Sequence, residues 1–133
     1  MSGANPLRWD CAKQGCFNVK KRPKIEQLAE CLPRRCKFGD VDGLAEVNGF
    51  GLLLEWKTSA IELPTGQRIA YEKLTRNGVL AVLVVAGNAE TMEAHASGRY
   101  FRGRWSGWTE GDLDDVKTAI RKWVKWAETS HAG

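Results

Sequence analysis

Long apolar runs are missing from this 133-residue sequence. No stretch approaches the roughly 18 consecutive apolar residues of a membrane-spanning helix, so no membrane partner is expected. Met1 to Asp10 lacks the apolar segment of a secretory leader. The expected location is therefore cytoplasmic, or a host's cytoplasm if the chain is phage-encoded. Internal repeats and low-complexity tracts are absent too, which argues against solenoid and disordered architectures. A strong charge of one sign is also missing. Twenty Lys and Arg stand against 16 Asp and Glu, a net charge of +4, which permits a polyanionic partner without demanding one.

What remains is an ordinary globular composition, 43% hydrophobic and 27% charged, on a length that supports one domain with one core, residues 1–133. The basic residues are unevenly spread. Lys20, Lys21, Arg22 and Lys24 form one cluster, and Arg34, Arg35 and Lys37 another. Both read as candidate phosphate contacts, or as a solvated face.

Residues 1–22 read as an irregular, Cys-containing segment. Pro23 suits a first helical turn, and Ile25, Leu28, Ala29 and Leu32 recur at helical spacing, so a short helix is expected up to Pro33. Two apolar-rich runs then flank Asn48-Gly49, a strong two-residue hairpin signal. A helix is expected from about Gly66 to Arg76, stopped by Asn77-Gly78. Val79 to Ala86 is a continuous, β-branched apolar run that reads as a buried strand. Residues 87–109 carry little pattern beyond a possible edge strand at Tyr100–Trp105. Thr109 or Asp112 caps a last helix whose stripe is Leu113, Val116, Ile120, Trp123 and Ala127. The order predicts one mixed α/β domain.

The hairpin has a chemical consequence. With a two-residue turn at 48–49, opposed residues sum to 97, so Asp42 faces Glu55 and Asp40 faces Lys57. Period-two alternation puts these four side chains on one face, and Val41, Ala45, Val47, Leu52, Leu54 and Trp56 on the other. Two adjacent carboxylates repel, and a hard divalent cation relieves the repulsion. A neighbouring Lys can orient a water or steady developing charge. Together these are the components of phosphodiester hydrolysis. Solubilising acids with an Asp40–Lys57 ion pair are the plainer reading.

The stretch Phe38-Gly-Asp-Val-Asp-Gly-Leu-Ala-Glu-Val-Asn-Gly-Phe-Gly-Leu-Leu-Leu-Glu-Trp-Lys-Thr58 resembles the core of PD-(D/E)xK nucleases. Asp42 matches the family Asp, and Glu55 and Lys57 match its E-x-K. The resemblance spans residues of about 23–86. It implies a restriction-endonuclease-like αβββαβ core, a mixed central sheet flanked by helices, here followed by a C-terminal helix. It also implies Mg²⁺ or Mn²⁺ held by Asp42, Glu55 and the Trp56 carbonyl, with Asp40 as a further candidate. Gln67-Arg-Ile-Ala-Tyr71 is similar to the Q-x-x-x-Y element of the RecB-like branch, which implies that Gln67 and Tyr71 help position the site. Glu26 is a candidate extra acid. The sequence departs from the family pattern in having Val41 rather than Pro before Asp42. It also lacks a His in the first helix, since its two histidines are His95 and His131.

Cys11 and Cys16 share their spacing with Cys31 and Cys36. In a cytosolic chain the four are candidate Zn²⁺ ligands, or reduced half-buried thiols. Six Trp residues read mainly as core, with Trp105 beside Arg102 and Arg104 as a weak nucleic-acid signal.

These readings lead to an expected function: Mg²⁺-dependent DNA hydrolysis, structure-specific or non-specific. Asp42, Glu55 and Lys57 sit at the centre, Gln67, Tyr71 and Glu26 assist, and Lys20, Lys21, Arg22, Lys24, Arg34 and Arg35 contact phosphates. RNA is the less favoured substrate, and a homodimer or larger complex is expected. The alternative is a non-catalytic nucleic-acid- or protein-binding adaptor on the same fold, with zinc in its Cys segment.

Overall fold

The computed structural model describes residues 24–33 and 41–131, apart from the Glu26 side chain. These residues fall in two units divided between residues 40 and 41, treated separately below.

In the first unit, Ile25–Cys31 is a 3-10 helix, where the sequence pattern predicts an α-helix. Its backbone closes i→i+3 bonds, Gln27 N–H to the Lys24 carbonyl and Leu32 N–H to the Ala29 carbonyl, both at 3.0 Å. A segment bounded by Pro23 and Pro33 is too short to offset the cost of nucleating an α-helix, and the tighter turn serves instead. Leu28, counted in the apolar stripe, is exposed.

The second unit is built on one mixed six-stranded sheet with two helices. Strands β1 (Gly43–Val47) and β2 (Phe50–Lys57) form the hairpin. Its turn residues Asn48 and Gly49 have φ of 54° and 88°, the pair of positive values that a type I′ turn requires and that Asn-Gly adopts with least strain. Helix α1 (Thr65–Leu74) carries the chain to β3 (Leu80–Asn88), which pairs parallel to β2. A parallel neighbour needs such a crossover. β4 (Glu93–Phe101) returns antiparallel on β3. Short strands β5 (Arg104–Trp105) and β6 (Thr109–Glu110) both pair with β4. Helix α2 (Leu113–Thr129) ends the fold. Among the described residues two strands precede α1, where αβββαβ has three.

Each sheet face buries its own cluster. Leu52, Ala81, Leu83 and Val85 point toward Val116 of α2, joined by the half-buried Leu54, Trp56, Ile120 and Trp123. Val82, Val84, Tyr100 and Leu63 pack with Tyr71 of α1 on the other face. β3 contributes to both, so seven consecutive residues, 81–87, are buried, as a strand covered on two sides demands. The stripe expected on the last helix is present: Val116 and Ala127 are buried. Asp112 caps it in a reciprocal capping box with Asp115 (3.1 and 2.9 Å).

Two sequence expectations change in the stretch 87–109. It holds a nine-residue strand, and Tyr100–Trp105 is the end of a hairpin rather than one edge strand. Arg102 and Gly103 form its turn with φ of 52° and 81°.

Candidate active site

The hairpin register is the one that the turn dictates: Val47 pairs with Phe50, Ala45 with Leu52 and Gly43 with Leu54. The ladder ends at Gly43–Leu54, and the Asp42 N–H donates to the same Leu54 carbonyl at 3.0 Å, so the register breaks at Asp42 and the expected Asp42–Glu55 pair is not part of the ladder. Asp42 is exposed, and its Oδ2 accepts the Trp56 N–H at 2.6 Å. The carboxylate thus lies against the backbone of the E-x-K segment.

Helix α1 packs on β3 and β4 and reaches Glu55, at the carboxyl end of β2, through Tyr71. The Glu55 side chain is 13% exposed, that of Lys57 27%, so the acid is the more deeply held member of the pair. Lys57 Nζ lies 3.4 Å from Glu55 Oε2. From the other side the Tyr71 hydroxyl donates to Glu55 Oε1 at 3.0 Å.

Gln67 and Tyr71 stand one turn apart on α1, and Gln67 Nε2 donates to the Tyr71 oxygen at 3.1 Å. This donor order is forced. Tyr71 has one proton, given to Glu55, so its oxygen must accept from the amide nitrogen. Gln67 Oε1 is then left buried with no partner among the described residues, and a buried acceptor in that position calls for a donor or a ligand.

The Tyr71 phenol is held well above its usual range. Burial is the first cause, the Glu55 charge and hydrogen bond come next, and the Asp42 charge adds to them, against a lowering bond from Gln67. The hydroxyl therefore stays protonated, a donor to the carboxylate.

Behind Tyr71 runs a row of aromatic rings that the sequence did not foreshadow. Tyr71 meets Tyr100 (5.5 Å between centroids), Tyr100 meets Trp105 (4.8 Å), and Trp105 meets Trp108 edge-on (5.3 Å). Trp105 lies against Gly98, where any Cβ would strike its ring and the Gly107 carbonyl. Trp108 Nε1 donates to the Ile61 carbonyl at 3.2 Å. Trp105 therefore packs as core rather than standing free for stacking, and the row braces Tyr71. Alternate small residues at Ala94, Ala96 and Gly98, ahead of Tyr100, were the available sign of this strand.

The remaining sequence candidates divide by location. Asp40, Lys20, Lys21, Arg22, Arg34, Arg35, Cys11, Cys16 and Cys36 lie outside the described residues. Lys24 and Cys31 are exposed, Cys31 as a free thiol, and Glu26 lies in the 3-10 helix of the first unit. The Trp56 indole points to the α2 face and donates to the Gly87 carbonyl at 2.9 Å.

Among the described residues no group of three or more His, Cys, Asp or Glu is placed to hold a metal. The site offers two carboxylates, with the Trp56 carbonyl and the unpartnered Gln67 Oε1 as neutral oxygens. All are oxygen donors, and two carboxylates suit Mg²⁺, which keeps several waters and completes its shell with substrate phosphate. By donor chemistry the residues fit such an ion.

Comparison with protein families, with curated proteins and with solved structures finds no match to this chain. Among the described residues no helix is long and apolar enough to cross a membrane.

Proposed function

We propose that this chain is a metal-dependent nuclease of the PD-(D/E)xK type that hydrolyses DNA phosphodiester bonds, structure-specifically or without sequence preference. The observation that carries the reading is the chain of contacts from Gln67 to Tyr71 to Glu55, with Lys57 ion-paired to the same carboxylate, and the Asp42 carboxylate accepting the N–H of Trp56, the residue between Glu55 and Lys57. The five side chains come from two motifs and are up to 29 residues apart in sequence (71 − 42).

A divalent cation between Asp42 and Glu55, with the Trp56 carbonyl as a further ligand, would polarise a phosphoryl oxygen and acidify water. The chain's own residues do the rest. Tyr71 fixes the Glu55 carboxylate through Oε1 and leaves Oε2 to Lys57. Lys57 holds Oε2 in the resting arrangement. Its ammonium would orient the attacking water and offset charge growing on the phosphoryl group. Gln67 keeps Tyr71 in its donor orientation.

The test uses labelled single-stranded, duplex and branched DNA, and RNA, each in Mg²⁺, Mn²⁺ or EDTA. DNA cleavage with either metal and none in EDTA is expected, and Lys57→Ala should lower the rate by at least about 100-fold. Undiminished cleavage by Lys57→Ala contradicts the mechanism. Tight binding with no cleavage in either metal favours a non-catalytic adaptor, and cleavage of RNA alone moves the substrate class.

A further inference from the structure

The sheet face turned away from Glu55 carries a second feature, which the nuclease reading does not use. A cavity of about 490 Å³ lies between that face and α2, within the roughly 300–1,000 Å³ of small-molecule sites. Its apolar walls are Leu52 and Leu83 of the sheet, Phe101 of β4, and Ile120, Trp123 and Trp126 of α2. The space exists because Ala81 on β3 and Ala119 on α2 are both too small to fill it. Trp126 is fixed by Phe50 (4.6 Å between centroids) and by Phe101, edge-on at 5.2 Å, so this aromatic wall is braced from behind.

The mouth has a distinct chemistry. The exposed lining residues are Arg99, Asp115, Thr118 and Lys122. Asp115 is committed to the α2 capping box, its Oδ2 accepting the Asp112 N–H at 2.9 Å. Neither Arg99 nor Lys122 has an acidic partner among the described residues. Two cations and one carboxylate thus stand at the entrance of an aromatic-walled cavity, and one oxygen of that carboxylate is held by the capping box.

The geometry points to a binding site for a small amphipathic anion, an aromatic ring system bearing one carboxylate. The ring enters among Phe101, Trp123 and Trp126, where it replaces water on apolar surface. The carboxylate stays at the mouth and accepts charge-assisted hydrogen bonds from Arg99 and Lys122. The site is separate from the carboxylate pair and stands whether or not that pair cuts DNA.

The probe is 2-naphthoate, with uncharged 2-naphthamide as its control, titrated by calorimetry against the full chain. Saturable 1:1 binding of naphthoate is expected. The double variant Arg99→Gln/Lys122→Gln should weaken naphthoate about tenfold or more and naphthamide less than about twofold. Ala119→Trp fills the cavity and should abolish both. If its circular dichroism shows that it does not fold, Ala119→Met makes the same test with a smaller side chain, and at least about threefold weaker binding is expected. No saturable binding of naphthoate overturns the proposal, as does binding that the cavity-filling variant leaves unchanged. Equal losses for naphthoate and naphthamide in the charge variant overturn the assignment of Arg99 and Lys122.

Discussion

At the scale of single residues, Tyr71 is the side chain on which the site turns. It is buried, it donates to Glu55 and accepts from Gln67, and two carboxylate charges hold its proton in place. A phenol whose folded pKa is raised contributes stability that is complete below the unfolded value of 10.0 and is lost as pH rises through the folded one. Urea unfolding of the wild type should therefore weaken from about pH 10 upward, and Tyr71→Phe should weaken less over the same interval. Tyr100 is raised in the same direction, by burial first and then by Glu72, and contributes equally to both proteins. Equal slopes in the two would remove Tyr71 as the protonated donor. In the cleavage assay Tyr71→Phe leaves Glu55 Oε1 without its donor, and a rate loss of roughly tenfold is expected.

At the scale of elements, the Asn48-Gly49 turn does two jobs. It sets the register that pairs Gly43 with Leu54 and so brings Asp42 beside the E-x-K segment, where its carboxylate accepts the Trp56 N–H. It also closes the far end of the fold, because Asn48 Nδ2 donates to the Ala127 carbonyl at 3.0 Å and the Ser130 carbonyl at 2.7 Å. The C-terminal carbonyls of α2, unsatisfied within the helix, find their donor in the hairpin tip. Asn48→Gly keeps the positive φ and removes only these bonds, so a loss of about 1–2 kcal/mol in urea unfolding is expected. Asn48→Ala adds turn strain and should cost more than Asn48→Gly. If the glycine variant is as stable as the wild type, the tip does not hold the helix. This turn was legible in advance because its chemistry is local: few residue pairs accept two positive φ values, and the pairs from Val47–Phe50 to Gly43–Leu54 follow by counting, while the break at Asp42 does not. β3 was legible from its unbroken apolar run, and α2 from its stripe and its Asp112 cap. β4 was not. Its inward positions alternate, but three of them, Ala94, Ala96 and Gly98, are too small to mark an apolar face, and its register shifts between Ala86 and Gly87 with His95 as the extra residue. Its Ala, Ser and Gly residues have weak strand preference, and pairing with β3 rather than propensity makes it a strand. The Arg102-Gly103 turn was missed because Arg seldom adopts a positive φ, and only the fold reveals that it does.

At the scale of the whole molecule, the second unit is one mixed sheet with a helix over each face, and the two faces have different chemistry. One carries acids at the edge of α1. The other carries an apolar cavity with cations at its mouth. The basic residues expected to hold a polyanion, Lys20, Lys21, Arg22, Arg34 and Arg35, belong to the sequence before the hairpin, and their part is testable in solution. DNA affinity should fall as salt rises. Replacing Lys20, Lys21 and Arg22 with Gln should reduce the slope of log K against log salt by roughly 0.7–0.9 for each phosphate no longer neutralised. An unchanged slope would free these residues from that role. The central claim, however, is that Asp42 and Glu55 act jointly on one cation. Its most direct measurement is Mn²⁺ binding, followed by electron paramagnetic resonance on the wild type, Asp42→Asn and Glu55→Gln. About one Mn²⁺ per wild-type chain is expected, with at least roughly tenfold weaker binding in each variant. Wild-type binding retained in both variants, or no binding in the wild type, would contradict it.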